Sequence, residues 1–254
     1  MLSTPHSYTD LKDRWDSLTK RNGWHSIELQ SNSEYPVLAI ENDAARKTTS
    51  GGFYLSAGVH GDECAPVWAL LKWAESIESS APLNSRPLVI LPCLNPYGLL
   101  ENTRLDSRGT DLNRNFQNAD LPLIGEWQRL LQGRQFDLAV NLHEDYDAAG
   151  IYLYELSRNP SIGDTLLHAC EEIIPRETAS EIDGTDMVNG LLERTDDIER
   201  IANEELGGWP ESIWLYLKHS TNACTFETPS EMDLDRRIKA HRLFIENAIL
   251  AHLP

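Results

Sequence analysis

The chain has 254 residues, of which 41% are hydrophobic and 24% charged; this suffices for one large packed domain and argues against wholesale disorder. A formal net charge of −18, from 40 acidic and 22 basic residues, makes a surface that repels phosphate backbones and anionic membranes, which sets nucleic-acid and membrane-surface roles aside. No run approaches the ~20 apolar residues of a membrane span, Met1 to His6 carries no basic-then-apolar leader, and Cys64, Cys93, Cys170 and Cys224 form no C-x-x-C pair, so buried free thiols in a reducing, cytoplasmic setting are expected.

Ser7 to Arg21 spaces Tyr8, Leu11, Trp15 and Leu18 as one face of an amphipathic helix, closed by Asn22-Gly23. Two strand-like runs follow, Trp24 to Leu29 and Tyr35 to Ile40, and a polar stretch, Glu41 to Ser50, separates them from a third. That third run, Phe53 to Val59, leads into Gly58-Val59-His60-Gly61-Asp62-Glu63, and a helix-like run, Ala65 to Ile77, leads out. After a loop, Ala81 to Pro87, the run Leu88 to Leu91 reads as a strand buried on both faces that ends in Pro92-Cys93-Leu94-Asn95-Pro96-Tyr97-Gly98. Leu99 to Gly109 is polar and precedes Thr110-Asp111-Leu112-Asn113-Arg114-Asn115-Phe116.

Leu121 to Gln132 is helix-like, and Phe136 to Leu142 is a strand that delivers His143-Glu144-Asp145. Ile151 to Leu156 reads as a strand and Ser161 to Ile174 as a helix. Pro175 to Gly208 is acidic, with several short helix-like pieces, and Ser212 to Lys218 fits helix or strand. Asn222 to Phe226 is a strand ending at Glu227; Leu234 to Leu253 is an amphipathic helix, with Ser230 and Asp233 resembling its capping box. Strands alternating with helices predict an α/β fold with a largely parallel sheet. With no internal repeat, low-complexity segment or linker, residues 1–254 read as one domain. His168, His219, His241 and His252 fall in helix-like or apolar runs and read as partly buried or surface histidines.

The polar residues at strand ends carry the chemistry. Ligands of open α/β sheets gather at the carboxyl ends of strands. His60, Glu63 and His143 make a His-Glu-His set, three protein ligands for one zinc ion with a fourth position free. Zinc in such a site lowers the pKa of water toward ~7. Cys64 as a fourth protein ligand would close that position, and is left out. Glu227, outside the ligand set, suits a general base that passes a proton to a leaving amine. Arg104 is the donor for a developing oxyanion. Asn113 and Arg114 suit the grip on a substrate carboxylate. Glu144 and Asp145, beside His143, read first as supports around that ligand and second as a further metal contact.

In this order His60-Gly61-Asp62-Glu63, Asn95-Pro96-x-Gly98, Arg104, Asp111-Leu112-Asn113-Arg114-Asn115-Phe116, Leu142-His143-Glu144 and Phe226-Glu227 span about two-thirds of the chain. The set resembles the M14 family of zinc metallocarboxypeptidases, in particular compact bacterial members such as murein-peptide amidases. The resemblance implies a mixed, mostly parallel sheet flanked by helices, one zinc on His60, Glu63 and His143, and Glu227 as base. It also implies Arg104 polarising the scissile carbonyl and Asn113 with Arg114 binding the terminal carboxylate. Asp111 would orient His60 through its second ring nitrogen. The expected substrate is a peptide, murein peptide or acyl amino acid with a free carboxylate. The related succinylglutamate desuccinylase and aspartoacylase group shares His-Gly-x-Glu and Asp-Leu-Asn-Arg, so an N-acyl amino acid deacylase is the alternative, and a non-enzymatic domain of the same fold a third reading. Many M14 enzymes carry a loop tyrosine near the substrate carboxylate; Tyr146, Tyr152, Tyr154 and Tyr216 all stand as candidates for it, and each reads first as core or strand packing.

Overall fold

The computed structural model describes residues 4–30, 33–78, 82–193 and 197–253. In chain order the elements are α1 (Tyr8–Asn22), β1 (His25–Leu29), β2 (Val37–Glu41), α2 (Asp43–Lys47), β3 (Phe53–Ala57), α3 (Cys64–Glu75), β4 (Leu88–Leu91), α4 (Pro96–Glu101), α5 (Pro122–Leu131), β5 (Leu138–Asp145) and β6 (Tyr152–Ser157). They continue with α6 (Gly163–Cys170), β7 (Glu181–Ile182), β8 (Thr185–Asp186), β9 (Leu191–Glu193), α7 (Ile198–Glu204), α8 (Glu211–Lys218), β10 (Asn222–Pro229) and α9 (Leu234–Leu250).

One sheet of eight strands runs through the molecule in the order β1-β2-β4-β3-β5-β10-β6-β9. Its centre, β4-β3-β5-β10, is parallel; β1, β2 and β6 run antiparallel to their inner neighbours, and β9 pairs parallel with β6 at the far edge. The parallel centre is what the strand–helix alternation predicts, and the whole is the mixed, mostly parallel sheet that the family resemblance implies. Every residue of β3, β4 and β10 is buried, which is why those runs read as continuous and not alternating. Alternate residues feed two cores. Phe53, Leu55, Cys224 and Phe226 pack under α1, α3, α6 and α9. Tyr54, Ala139, Ala223 and Leu156 pack under α5, α7 and α8.

Local chemistry sets several element ends. Ser7 accepts from the Asp10 amide to open α1, and Gly23, at φ +66°, closes it with its N–H on the carbonyls of Lys20 and Thr19. Within the polar stretch 41–50 lies α2, which Asn42 opens by accepting from the Ala45 amide. Asn95 does the same for α4 through the Gly98 amide. Both helices are short and hydrophilic or Pro-led, so periodicity alone does not announce them.

Three expectations are corrected. Among the described residues, the 175–208 stretch holds three short strands and one helix instead of several helical pieces, because Leu192 is fully buried and β9 finds the open edge of β6. Asp233, not Ser230, opens α9 by accepting from the Arg236 amide, while the Ser230 N–H donates to the Asp145 carbonyl. His241 is fully buried, not partly so: its Nε2 meets Thr228 Oγ1 at 3.0 Å and its ring lies edge-on to Phe226. Ser212 to Lys218, open between helix and strand, is helix α8.

Burial, aided by the charge of Arg237, pushes the His241 pKa down to about 3 from the usual 6.5. The folded state therefore resists protonation that the unfolded chain accepts. The contribution of His241 to stability is full above pH 6.5 and is lost as pH falls toward 3, by about 5 kcal/mol over the window. A His241→Gln variant is expected to flatten the fall of Tm between pH 7 and pH 4; an unchanged slope would assign acid lability to other groups.

Candidate active site

The loop after β3 brings His60 and Glu63 to the carboxyl edge of the sheet. Gly58, at φ +63°, turns the chain, and Gly61 lies so close to α4 that a Cβ on it would sit 1.9 Å from the Gly98 backbone. The Asn95-Pro96-x-Gly98 segment is thus the seat on which the His60–Glu63 turn rests. Glu63 occupies the position before α3 and makes no side-chain cap to it. Glu144, from β5, supplies that cap instead, accepting from the Ala65 amide at 3.0 Å. The Glu63 carboxylate is left free to turn toward the histidines.

It meets both. His60 Nδ1 lies 2.5 Å from Glu63 Oε1, and His143 Nδ1 3.0 Å from Glu63 Oε2. The Glu144 amide donates to the same Oε2 at 3.0 Å. All three side chains are buried, and their donor atoms fall within 4.8 Å of one another. Two like-facing imidazole nitrogens converging on one buried carboxylate form a donor set that fits a single cation. Burial opposes charge on His60, but Glu63 and Asp111 prevail and raise its pKa to about 8. Burial likewise opposes ionisation of Glu63, and the two imidazoles hold it well below the usual carboxylate range.

Asp111 lies behind His60. Its Oδ1 is 3.4 Å from His60 Nε2, too poorly aligned for a hydrogen bond, and accepts from the Asn113 amide at 2.9 Å. The other oxygen takes Arg104, whose Nε and Nη2 both lie at 3.1 Å. Arg104 also sets Nη1 3.3 Å from His60 Nδ1, at the rim of the metal group. Asn113 uses its Oδ1 to accept from the Glu211 amide at 2.9 Å, which ties it to the start of α8 and leaves its amide hydrogens as donors. Arg114 hydrogen-bonds the Asn113 carbonyl through Nη1 at 3.1 Å, and its own carbonyl accepts from the Trp209 amide.

Glu227 on β10 stands in register with His143 on β5 and with Tyr152 on β6. It is buried and its Oε2 has no hydrogen-bond partner. Burial, reinforced by the nearby charges of Glu63 and Asp145, pushes its pKa up to about 8. All the sequence-derived residues except Asp111 line one cavity of about 720 Å³. Of the candidate tyrosines, Tyr146, Tyr152 and Tyr154 line it too. Tyr152 donates to Asp145 and Tyr154 to Asp183, whereas Tyr146 is 72% exposed and is neither core nor strand packing. Tyr216 lies elsewhere, beneath the Arg158 guanidinium. Cys64 is buried and free, outside the metal group.

Two supports were not legible in the sequence as such. Arg237, from α9, pairs with Glu144 Oε1, so α9 braces the residue that caps α3 and follows His143. Glu211 lies under the sheet face, its oxygens held by Tyr54 Oη and by Ser56 Oγ at 2.9 Å, with Asn141 on Ser56. Burial raises it to about 7. Pro-Glu at a helix start is too common a pattern to have pointed there. Breaking the Glu144–Arg237 pair leaves a buried charge alone, so Arg237→Met is expected to cost about 3–5 kcal/mol in chemical denaturation. A loss under 1 kcal/mol would show that the brace is dispensable.

The sheet and its flanking helices have the fold of metallocarboxypeptidase-like α/β structures. Within it, residues 51–161 match the succinylglutamate desuccinylase/aspartoacylase catalytic domain family. A protein of Shewanella amazonensis described as a candidate metallopeptidase superposes with a TM-score of 0.83 at 22% identity, covering 98% of this chain and 94% of that one. A metallo-carboxypeptidase of Burkholderia cenocepacia gives 0.68 at 14% identity, over 96% of this chain and 68% of that one. Bovine thrombin-activatable fibrinolysis inhibitor, in complex with tick carboxypeptidase inhibitor, gives 0.59 at 15% identity, over 98% and 99%. At such identities the likeness is one of fold. No curated protein sequence matches the chain.

Proposed function

We propose that the protein is a zinc-dependent hydrolase that cleaves the C-terminal amide bond of a peptide or murein peptide bearing a free carboxylate. The observation that carries this reading is Glu227: a buried carboxylate with an unpartnered oxygen, one strand from His143, in the cavity that also receives Arg104, Asn113 and Arg114. His60, Glu63 and His143 would hold the ion, which when bound supplies a Lewis acid and a lowered pKa for water. Arg114 and the Asn113 amide hold the terminal carboxylate. Arg104, steadied by Asp111, donates to the carbonyl oxygen as charge develops on it. Glu227 takes a proton from the attacking water and gives it to the leaving amine. Asp111, whose Oδ1 lies 3.4 Å from the second nitrogen of His60, would orient that ring once the first nitrogen ligates.

The match of residues 51–161 favours a second reading, an N-acyl amino acid deacylase. Both use the same residues; they differ in what lies on the acyl side of the bond. The zinc-loaded protein should be assayed on N-acylated dipeptides with a free C-terminus beside N-acetyl amino acids of the same leaving residue. We expect the dipeptides to be cleaved at least tenfold faster in kcat/KM. Preference for the N-acetyl amino acids would select the deacylase, and hydrolysis of neither would sink both. Four buried free thiols suit a reducing, cytoplasmic setting. Among the described residues no helix is long and apolar enough to cross a membrane.

A further inference from the structure

We propose that Glu211 is a positioning residue of the active site: its buried carboxylate anchors the chain segment whose backbone aims the Asn113 amide at a substrate carboxylate. The inference rests on the hydrolase reading above, since it concerns how the carboxylate grip of that reading is built.

The turn that carries Asn113 and Arg114 leans on residues 208–211. The Trp209 amide donates to the Arg114 carbonyl at 3.1 Å, and the Trp209 carbonyl accepts from the Phe116 amide at 3.1 Å. Gly208, at φ +148°, lies so close that a Cβ on it would sit 2.0 Å from the Arg114 carbonyl oxygen. The Glu211 amide then donates to Asn113 Oδ1 at 2.9 Å. That last bond decides which way the Asn113 side chain faces. With its oxygen occupied, its two amide hydrogens are what it offers a ligand. Asn113 is thus aimed only as well as the Glu211 backbone is placed.

The Glu211 side chain places that backbone. It is 1% exposed, and its two oxygens accept from Tyr54 Oη and, at 2.9 Å, from Ser56 Oγ, both on β3. Each hydroxyl is itself the acceptor of a nitrogen that can only donate. Trp127 Nε1 donates to Tyr54 Oη at 2.8 Å, and Asn141 Nδ2 to Ser56 Oγ at 2.8 Å. Two donor chains, one from α5 and one from β5, therefore end on the two oxygens of one carboxylate. A satisfied buried network of this kind fixes position as apolar contact does not. As a mere support it is costly: among the described residues no lysine or arginine forms an ion pair with Glu211, so neutral donors alone hold a carboxylate away from water. An apolar residue would seal α8 onto the sheet at less cost, but it would not set the direction of the 211 amide. A glutamine at this position keeps the shape, yet it turns an NH2 group toward a hydroxyl hydrogen at one end of the network.

The test compares zinc-loaded wild type with Glu211→Gln on an N-acylated dipeptide with a free C-terminus. Losing a grip made equally in the ground and transition states raises KM and spares kcat. KM is expected to rise about tenfold, with kcat changed by less than about threefold. In an Asn113→Ala background the same substitution should move KM by less than about twofold, because the side chain it positions is gone. An unchanged KM, or an equal effect in both backgrounds, overturns the inference while the hydrolase stands. Should Glu211→Gln not fold, Tyr54→Phe and Ser56→Ala each remove one donor and decide in its place. Each is expected to raise KM by at least about threefold, again only where Asn113 is present. If the dipeptide is not cleaved, calorimetry on zinc-loaded Glu227→Gln measures its binding against that of its C-terminal amide. A preference for the free acid that Glu211→Gln abolishes keeps the inference and sinks the hydrolase. No such preference, or one that survives Glu211→Gln, overturns the inference.

Discussion

Replacing Glu227 by Gln is expected to lower kcat/KM by about 10²–10⁴-fold while one zinc per chain stays bound. The substitution keeps shape and removes only the ability to take a proton. Glu227 is outside the His60-Glu63-His143 group, so metal content should not change. Its unpartnered oxygen and its raised pKa, about 8 from burial, describe a carboxylate kept dry and poised near neutrality. The measurement is turnover alongside zinc content by elemental analysis on the same preparation. Wild-type turnover in that variant would remove Glu227 from the reaction; lost zinc would reassign it as a ligand.

The second large effect is expected on the metal group. His143→Ala removes one of three donors and should weaken zinc binding by about 3–4 kcal/mol, two to three decades. In the wild type, bound ion at a thousandfold excess over its Kd adds about 4 kcal/mol of stability, so a chelator should lower Tm clearly. In the variant the same chelator should leave Tm nearly where it was. Glu63 makes the contrast sharper. Its two oxygens face His60 at 2.5 Å and His143 at 3.0 Å, an arrangement of lone pairs that a cation completes. Wild-type zinc affinity in His143→Ala would show that the three side chains meet for another reason.

Much of this site could be read from the chain because its pieces are local. A strand of fully buried residues, a glycine turn and a helix start define the His60–Glu63 segment within a dozen residues. Asp111 to Arg114 is likewise one short turn whose capping is internal. The strand runs that carry His143 and Glu227 are apolar and continuous, so their ends were visible. Elements were harder to read where local preference is weak. α2 and α4 depend on single asparagine caps, and β9 depends on finding an unpaired edge.

Residue order alone determined the α/β alternation and the identity of the polar groups at the strand ends, since both follow from short-range periodicity and turn chemistry. Only tertiary packing decided which of those ends meet. β10 enters between β5 and β6, and that placement sets Glu227 beside His143, Thr225 beside Tyr154, and Ala223 beside Leu156. The brace of Arg237 on Glu144 and the tie of Asn113 to α8 are of the same kind. Each joins segments far apart in sequence, and strand pairing is chosen by the burial it achieves across the whole sheet, which no single window of residues contains.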